Sequence, residues 1–241
     1  MVAALFRPFA APVVLAALLA ISLPTIGETQ SRVALTARQG GKEMFIVTEY
    51  YNGGTLESIR TALCDTPKCA KRVAILVLMQ MAKALACMHD AGYVHADLKP
   101  DNILFSVPEG TTAITLANVN SLRFILADYG LAQRVGASKV MSGTPLFMAP
   151  EAFDNGPASP ARDIWALGVL MYLLIYNVYP YTATTLGGLL HALKSPPTFP
   201  TASETQPALV QLVKRMLSRD PTQRPTARDI IAEVPRIASS A

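Results

Sequence analysis

The sequence predicts an α+β fold, with a few short strands followed by a mainly helical second half. Three observations predict it. Residues 68–90 carry a long Ala-, Leu- and Met-rich pattern, with Ile75, Leu78, Met79, Ala82, Leu85 and Ala86 spaced by three and four along one face. Residues 93–135 alternate short apolar runs with polar turns. From Ser159 onward the pattern is helical almost to the C-terminus.

The elements follow in order. Met44 to Tyr50 (MFIVTEY) is an apolar, β-branched run that ends at Tyr51-Asn52-Gly53-Gly54, which reads as a buried strand entering a turn. Thr55 starts a short helix, and Gly92 stops the long one. Ile103 to Phe105, Ala113 to Leu116 and Leu122 to Leu126 read as short antiparallel strands, with an extended hairpin or loop at 106–121. Residues 136–160, rich in Gly, Ser, Pro and Thr, read as an extended loop. Ser159-Pro160 is a cap followed by proline at the first helical position. Arg162 to Tyr176 is apolar nearly all round and predicts a helix buried on every side. Further helices are expected at 184–194, 205–218 and 226–236, the last opened by a capping pair, Thr226 with Asp229.

Composition narrows the classes. The 241 residues are 51% hydrophobic and only 16% charged, below the roughly 25% of soluble domains, which excludes disorder and coiled coil for the whole chain. The net charge of +4 is scattered, in pairs such as Lys71-Arg72 and Lys214-Arg215, so no nucleic-acid partner is expected. Cys64, Cys69 and Cys87 show no metal-site spacing and suit a reduced, cytoplasmic protein.

The chemistry concentrates in His95-Ala96-Asp97-Leu98-Lys99-Pro100-Asp101-Asn102, between the long helix and the next strand. In a tight loop an Asp, a Lys two residues on and an Asn five residues on can converge. Phosphoryl transfer needs such a set: a carboxylate for a hydroxyl proton, a cation for the migrating charge and an oxygen ligand for Mg²⁺. Asp128-Tyr129-Gly130 follows a strand at Phe124 to Ala127 and offers a carboxylate as a metal ligand. Gly143-Thr144-Pro145, Ala149-Pro150-Glu151 and Asp163-Ile164-Trp165-Ala166-Leu167-Gly168 follow.

In this order the motifs resemble the eukaryotic protein kinase family, Ser/Thr type, over about residues 44–236. The resemblance implies a kinase-like fold, mainly helical in its large lobe at 55–236, with a hinge at 44–54 and a tail at 237–241. It implies transfer of the ATP γ-phosphate to a Ser or Thr hydroxyl of a protein substrate, with ATP and Mg²⁺ and a possible regulatory protein partner. Asp97 would be the catalytic base, Lys99 the phosphate-contacting lysine and Thr144 the threonine beside them. Asn102 and Asp128 would hold Mg²⁺. Glu49 and Tyr51 match the hinge that holds adenine, Thr48 the gatekeeper, and Leu104 the floor of the adenine pocket. His95, Tyr129, Glu151, Asp163 and Arg224 match structural positions: His95 packs, Tyr129 keeps a ring where the family has Phe, Glu151 pairs with Arg224, and Asp163 braces the catalytic loop.

Three departures stand out. Ala96 replaces the arginine that receives an activation-loop phosphate, which argues against phosphorylation control at Ser138 or Ser142. No G-x-G-x-x-G precedes residue 44, and Lys42 is the only lysine there. The family's first three small-lobe strands find no counterpart in the pattern, so residues 1–43 read as a divergent or truncated small-lobe remnant. Leu23-Pro24-Thr25-Ile26 resembles the turn after the small-lobe helix, which would place the end of that helix at Val13 to Ser22, with Val14 where its glutamate belongs. Residues 2–23, apolar apart from Arg7, fit such a helix, a signal peptide or a membrane anchor, and the first is favoured. An incomplete gene product is a further expectation. The alternative function is a catalytically impaired pseudokinase or scaffold.

Overall fold

In the computed structural model, residues 4–5, 34–36, 45–47, 50–60, 67–111, 114–115, 118–137, 143–200 and 207–239 are described. Three short strands form a first sheet. β1 (Ala4–Leu5) and β2 (Ala34–Thr36) both pair antiparallel with β3 (Phe45–Val47), which lies between them. The sequence predicts one strand at 44–50 and none before it. β3 lies within that range, Tyr50 is outside the strand, and two strands flank it. Strands of two or three residues are set by the partner they pair with, and local pattern does not announce them. The expected helix at Val13 to Ser22, the hinge residue Glu49, the gatekeeper Thr48 and both Ser138 and Ser142 lie outside the described residues.

After a turn at residues 52–53, β4 (Gly54–Thr55) leads into α1 (Leu56–Ile59). The Thr55 side chain caps α1, accepting from the Ser58 N–H at 3.2 Å. Helix α2 (Pro67–Asp90) stops where Gly92 takes φ 79° and donates its N–H to the His89 carbonyl. Its buried face runs through Ala74, Val77, Leu78, Met81, Ala82, Leu85 and Met88. Ile75 and Met79, expected on that face, are only partly buried at its margin. Lys71–Asp90 is the one stretch among the described residues long and apolar enough to cross a membrane, and here it is a core helix.

Beyond α2 come β5 (Tyr93–Val94), β6 (Ile103–Ser106), β7 (Arg123–Leu126) and β8 (Gln133–Arg134). β6 joins β4 on one side and β7 on the other, antiparallel, with Ile103 opposite Leu126 and Ser106 opposite Arg123. β5 pairs with β8. Two side chains extend these short ladders. Asn52 exchanges two hydrogen bonds with the Val107 backbone, at 2.9 and 3.2 Å. Gln80 of α2 does the same for β7, accepting from the Phe124 N–H at 2.7 Å and donating to the Leu122 carbonyl at 3.2 Å. Of the strand expected at 113–116 only residues 114 and 115 are described; they lie outside any strand, and Asn118 closes a turn back onto Thr115.

The loop expected at 136–160 contains a four-residue helix, α3 (Pro150–Phe153). Pro150 fixes φ at its first position, and the Gly156 N–H closes onto the Glu151 carbonyl. Helix α4 (Pro160–Tyr176) has every residue from Asp163 to Leu174 buried. Ser159 sits at its N-cap but makes no side-chain cap bond. Trp165 is fully buried. At about 25 cal/mol per Å² its roughly 200 Å² contributes about 5 kcal/mol. Gly168 admits the end of a later helix: a Cβ there would lie 3.0 Å from Met216 and Leu217. The remaining helices are α5 (Leu186–Ala192), α6 (Pro207–Met216) and α7 (Ala227–Ser239). Thr226 and Asp229 form the expected cap, the Thr226 hydroxyl donating to Asp229 at 2.6 Å. Helix α7 continues past Pro235 to Ser239 and buries Ile237, so residues 237–239 of the expected tail are helical, with 238–239 exposed. Burial of that isoleucine favours the extra turn.

Arg224, its side chain fully buried, forms an ion pair with the partly buried Glu151. The contact is bidentate, at 2.7 and 2.8 Å, and Arg224 also donates to the carbonyls of Ser218 and Ala161, both at 2.8 Å. The guanidinium lies 4.9 Å from the Trp165 ring centre. Such a pair gains little over an apolar substitute, but removing one partner strands the other. Glu151→Ala is expected to lower the unfolding free energy by about 3 kcal/mol, read as a lower urea midpoint, with Glu151→Gln losing less. A loss under about 1 kcal/mol would mean the pair behaves as an exposed one.

Candidate active site

The 95–102 loop leaves β5 and must turn sharply to re-enter β6. Asp163, in the first turn of α4, makes the turn possible. Its carboxylate accepts the backbone N–H of His95 at 2.8 Å and of Ala96 at 2.9 Å, and the ring of His89 at 2.9 Å. Ala96 is thereby held at φ 66°, a left-handed conformation that costs a non-glycine residue about 1–2 kcal/mol. The kink throws Asp97 toward the 143–149 segment.

His95 is fully buried. Its Nε2 donates to the Ala127 carbonyl at 3.0 Å, and its Nδ1 accepts the Asp97 N–H at 3.3 Å. The two partners select the Nε2–H tautomer. Burial pushes its pKa below the ordinary value of 6.5, with Asp163 the largest opposing influence. Tyr129 meets His95 edge-on at 5.4 Å, and its hydroxyl donates to the Leu126 carbonyl at 2.6 Å. Burial, then the neighbouring Tyr51, pushes that hydroxyl's pKa up.

Four donors converge on Asp97. Thr144 gives its backbone N–H and its hydroxyl to Oδ1, both at 3.0 Å. Asn102 Nδ2 reaches Oδ2 at 3.0 Å, and Lys99 Nζ lies 3.2 Å from the same oxygen. Lys99 also donates to the Thr144 hydroxyl at 2.8 Å. Asp97, Lys99 and Thr144 therefore form one connected group, as their assignment implies. Asn102 gives its amide N–H also to the Asp97 carbonyl at 2.8 Å, which leaves its amide oxygen for a cation. Asp128 stands at the end of β7, exposed, at φ 57°, and accepts the Gly130 N–H at 3.2 Å. The Ala127 N–H donates to the Asn102 carbonyl at 2.8 Å and ties the two loops together. Both are hard oxygen donors of the kind Mg²⁺ takes. Among the described residues no group of three His, Cys, Asp or Glu side chains could hold a metal.

The other assigned residues are placed as follows. Leu104 is half-buried on β6, opposite Thr55 of β4. Tyr51 lies just before β4, while Glu49 is outside the described residues. Two participants escape sequence reasoning. His89 is the penultimate residue of α2, and its spacing of six from His95 is the only signal. In the sequence Gly143 stands out only as the neighbour of Thr144. It takes φ 114°, and a Cβ there would come within 2.7 Å of the Ala96 carbonyl. A cavity of about 30 Å³ opens beside Ala96, where Arg162 Nε has no acceptor among the described residues.

The neutral, buried His95 predicts a pH dependence. Below about pH 6.5 the unfolded chain takes up a proton that the native ring refuses, so stability falls as pH falls, down to the depressed native value. In urea titrations from pH 8 to 5, His95→Gln is expected to lose stability less steeply than the parent below pH 6.5. Parallel curves would show that the ring's proton is not what couples.

The geometry can now be set beside known proteins. The protein kinase domain family model matches residues 31–234. The chain is 31% identical over 216 residues to serine/threonine-protein kinase PAK mbt of Drosophila melanogaster, covering 87% of this chain and 30% of that protein. It is 33% identical over 190 residues to human serine/threonine-protein kinase ULK1, covering 75% of this chain and 17% of that one. Against serine/threonine-protein kinase PKZ1 of Phytophthora infestans it is 31% identical over 204 residues, 79% of this chain and 50% of the relative. The chain thus spans half or less of these relatives' own length. With the family's motifs folded as described, and the family model matched over most of its length, the chain belongs to the protein kinase family, Ser/Thr type.

Proposed function

We propose that this chain transfers the γ-phosphoryl group of ATP to a Ser or Thr hydroxyl of a protein substrate. One observation carries the reading: the Asp97 carboxylate, held by Thr144, Asn102 and Lys99, is built to receive a proton beside a cation. In the proposed reaction the substrate hydroxyl oxygen forms a bond to the γ-phosphorus, the bond from that phosphorus to the β-γ bridging oxygen breaks, and the hydroxyl proton passes to Asp97. Lys99 faces the phosphoryl oxygens. Asn102 through its amide oxygen and Asp128 through its carboxylate would hold Mg²⁺, which in this family neutralises phosphate charge. The backbone at 49–51 and the Leu104 side chain would hold the adenine. A cytoplasmic location suits a protein that uses ATP, and residues 2–23 could add a membrane anchor.

A second reading, a scaffold without catalysis, is favoured by the sequence of residues 1–43, which holds neither a glycine-rich loop nor any lysine but Lys42. Two measurements separate them. With labelled ATP, Mg²⁺ and a generic Ser/Thr protein substrate, the first reading expects transfer that falls at least about 100-fold in Asp97→Asn, a lost general base, and less in Thr144→Ala. ATP with Mg²⁺ is expected to raise the melting temperature, and Asp128→Asn to shrink that shift. Transfer equal in Asp97→Asn would overturn the assignment of the base. No transfer and no ATP shift would overturn the first reading for this chain.

A further inference from the structure

The strongest feature outside the site is a groove of about 750 Å³ between residues 196–199 and the C-terminal part of α6. Its floor is apolar: Pro197, Phe199 and Leu217. Its rim is basic: Lys214, Arg215 and Arg219. We propose that it is a docking site for an acidic segment of a partner protein that carries large apolar side chains at its centre.

Charge complementarity names this occupant. Glu233 answers Arg215 across an ion pair. Asp220 is turned into its own loop, accepting from the Thr222 N–H and hydroxyl. Among the described residues neither Lys214 nor Arg219 faces a carboxylate. Among the described residues, two cations are therefore left without an ion pair above an apolar floor. Carboxylates on a partner would supply the missing charge, and Leu or Phe side chains would fill the floor.

The groove is also preformed. Phe199 is met edge-on by Tyr172 at 5.3 Å and by Tyr176 at 6.3 Å. The Tyr172 hydroxyl donates to the Thr198 carbonyl at 2.7 Å, which pins the wall to α4. Lys214 Nζ lies 5.2 Å from the Phe199 ring centre, and Arg219 donates to the Lys194 carbonyl at 3.1 Å. Walls already ordered lose little entropy when a ligand arrives. A nucleic acid fits less well, because single strands need successive rings to stack on, and the groove lining holds one, Phe199.

The test uses the full 241-residue chain and fluorescence anisotropy. The probe is a fluorescein-labelled 12-residue peptide of Asp and Glu with Leu-Phe at its centre. Binding is expected, and at least about tenfold weaker in Lys214→Glu/Arg219→Glu and for a peptide with Ser-Ser in place of Leu-Phe. Melting curves check that the variants fold. Should the double variant not fold, Lys214→Glu alone carries the test, since that side chain is exposed and, among the described residues, makes no ion pair. No binding, equal binding by the variants, equal binding of the Ser-Ser peptide, or tighter binding of oligo-dT of matched charge would each overturn the proposal. Because no residue of the groove belongs to the catalytic group, loss of docking leaves phosphoryl transfer to a generic substrate unchanged.

Discussion

The buried Asp163 carboxylate is the contact on which the rest of the site depends. It is taken out of water, which costs several kcal/mol unless its oxygens find donors. The backbone of residues 95 and 96 and the ring of His89 supply them. That exchange runs both ways: the carboxylate is stabilised, and a left-handed alanine becomes tenable. Asp163 lies in the first turn of α4, where the exposed N–H groups of the helix favour a negative charge. Without this anchor the loop would relax at Ala96, and Asp97 would turn away from Thr144.

The arrangement divides labour between a stiff core and short loops. Helix α4 is buried from Asp163 to Leu174 and has no free face on which to slide. The chemistry hangs from it on three loops, at 95–102, 128–131 and 143–149. They are fastened to one another by His95 on Ala127, by Ala127 on Asn102, and by Thr144 on Asp97. The Glu151–Arg224 pair secures the far side of the third loop. Each fastening is a hydrogen bond of about 1 kcal/mol net, or somewhat more where a charge takes part. Their value lies in fixing direction more than in stability, because proton transfer depends on ångström placement.

Much of this was legible in the sequence, for a physical reason. Asp97, Lys99 and Asn102 lie within six residues, so a tight loop suffices to bring them together. Thr226 with Asp229 and Ser159-Pro160 mark helix starts through local chemistry. What stayed hidden depends on distant partners. The two strands beside β3 exist through pairing. Helix α3 is held by Gly156 and by Arg224, which lies 73 residues away in the chain. The buried face of α2 is rotated from the expected one, because what packs against it, and not its own periodicity, decides which of several apolar stripes turns inward. His89 and Gly143 matter only because Asp163 and Ala96 come beside them.

The same helix also decides how the basic groove could act on the site. Asp163 and Tyr172 are nine residues apart on α4, about 14 Å along its axis at 1.5 Å per residue. One end braces the 95–102 loop and the other pins the groove wall. Coupling by conformational change would require α4 to have two packings, and a helix buried all along that length offers no second one. A segment bound in the groove would instead act through proximity. It would hold a linked Ser or Thr at high effective concentration near Asp97, raising apparent affinity while the geometry of the chemical step stays as it is.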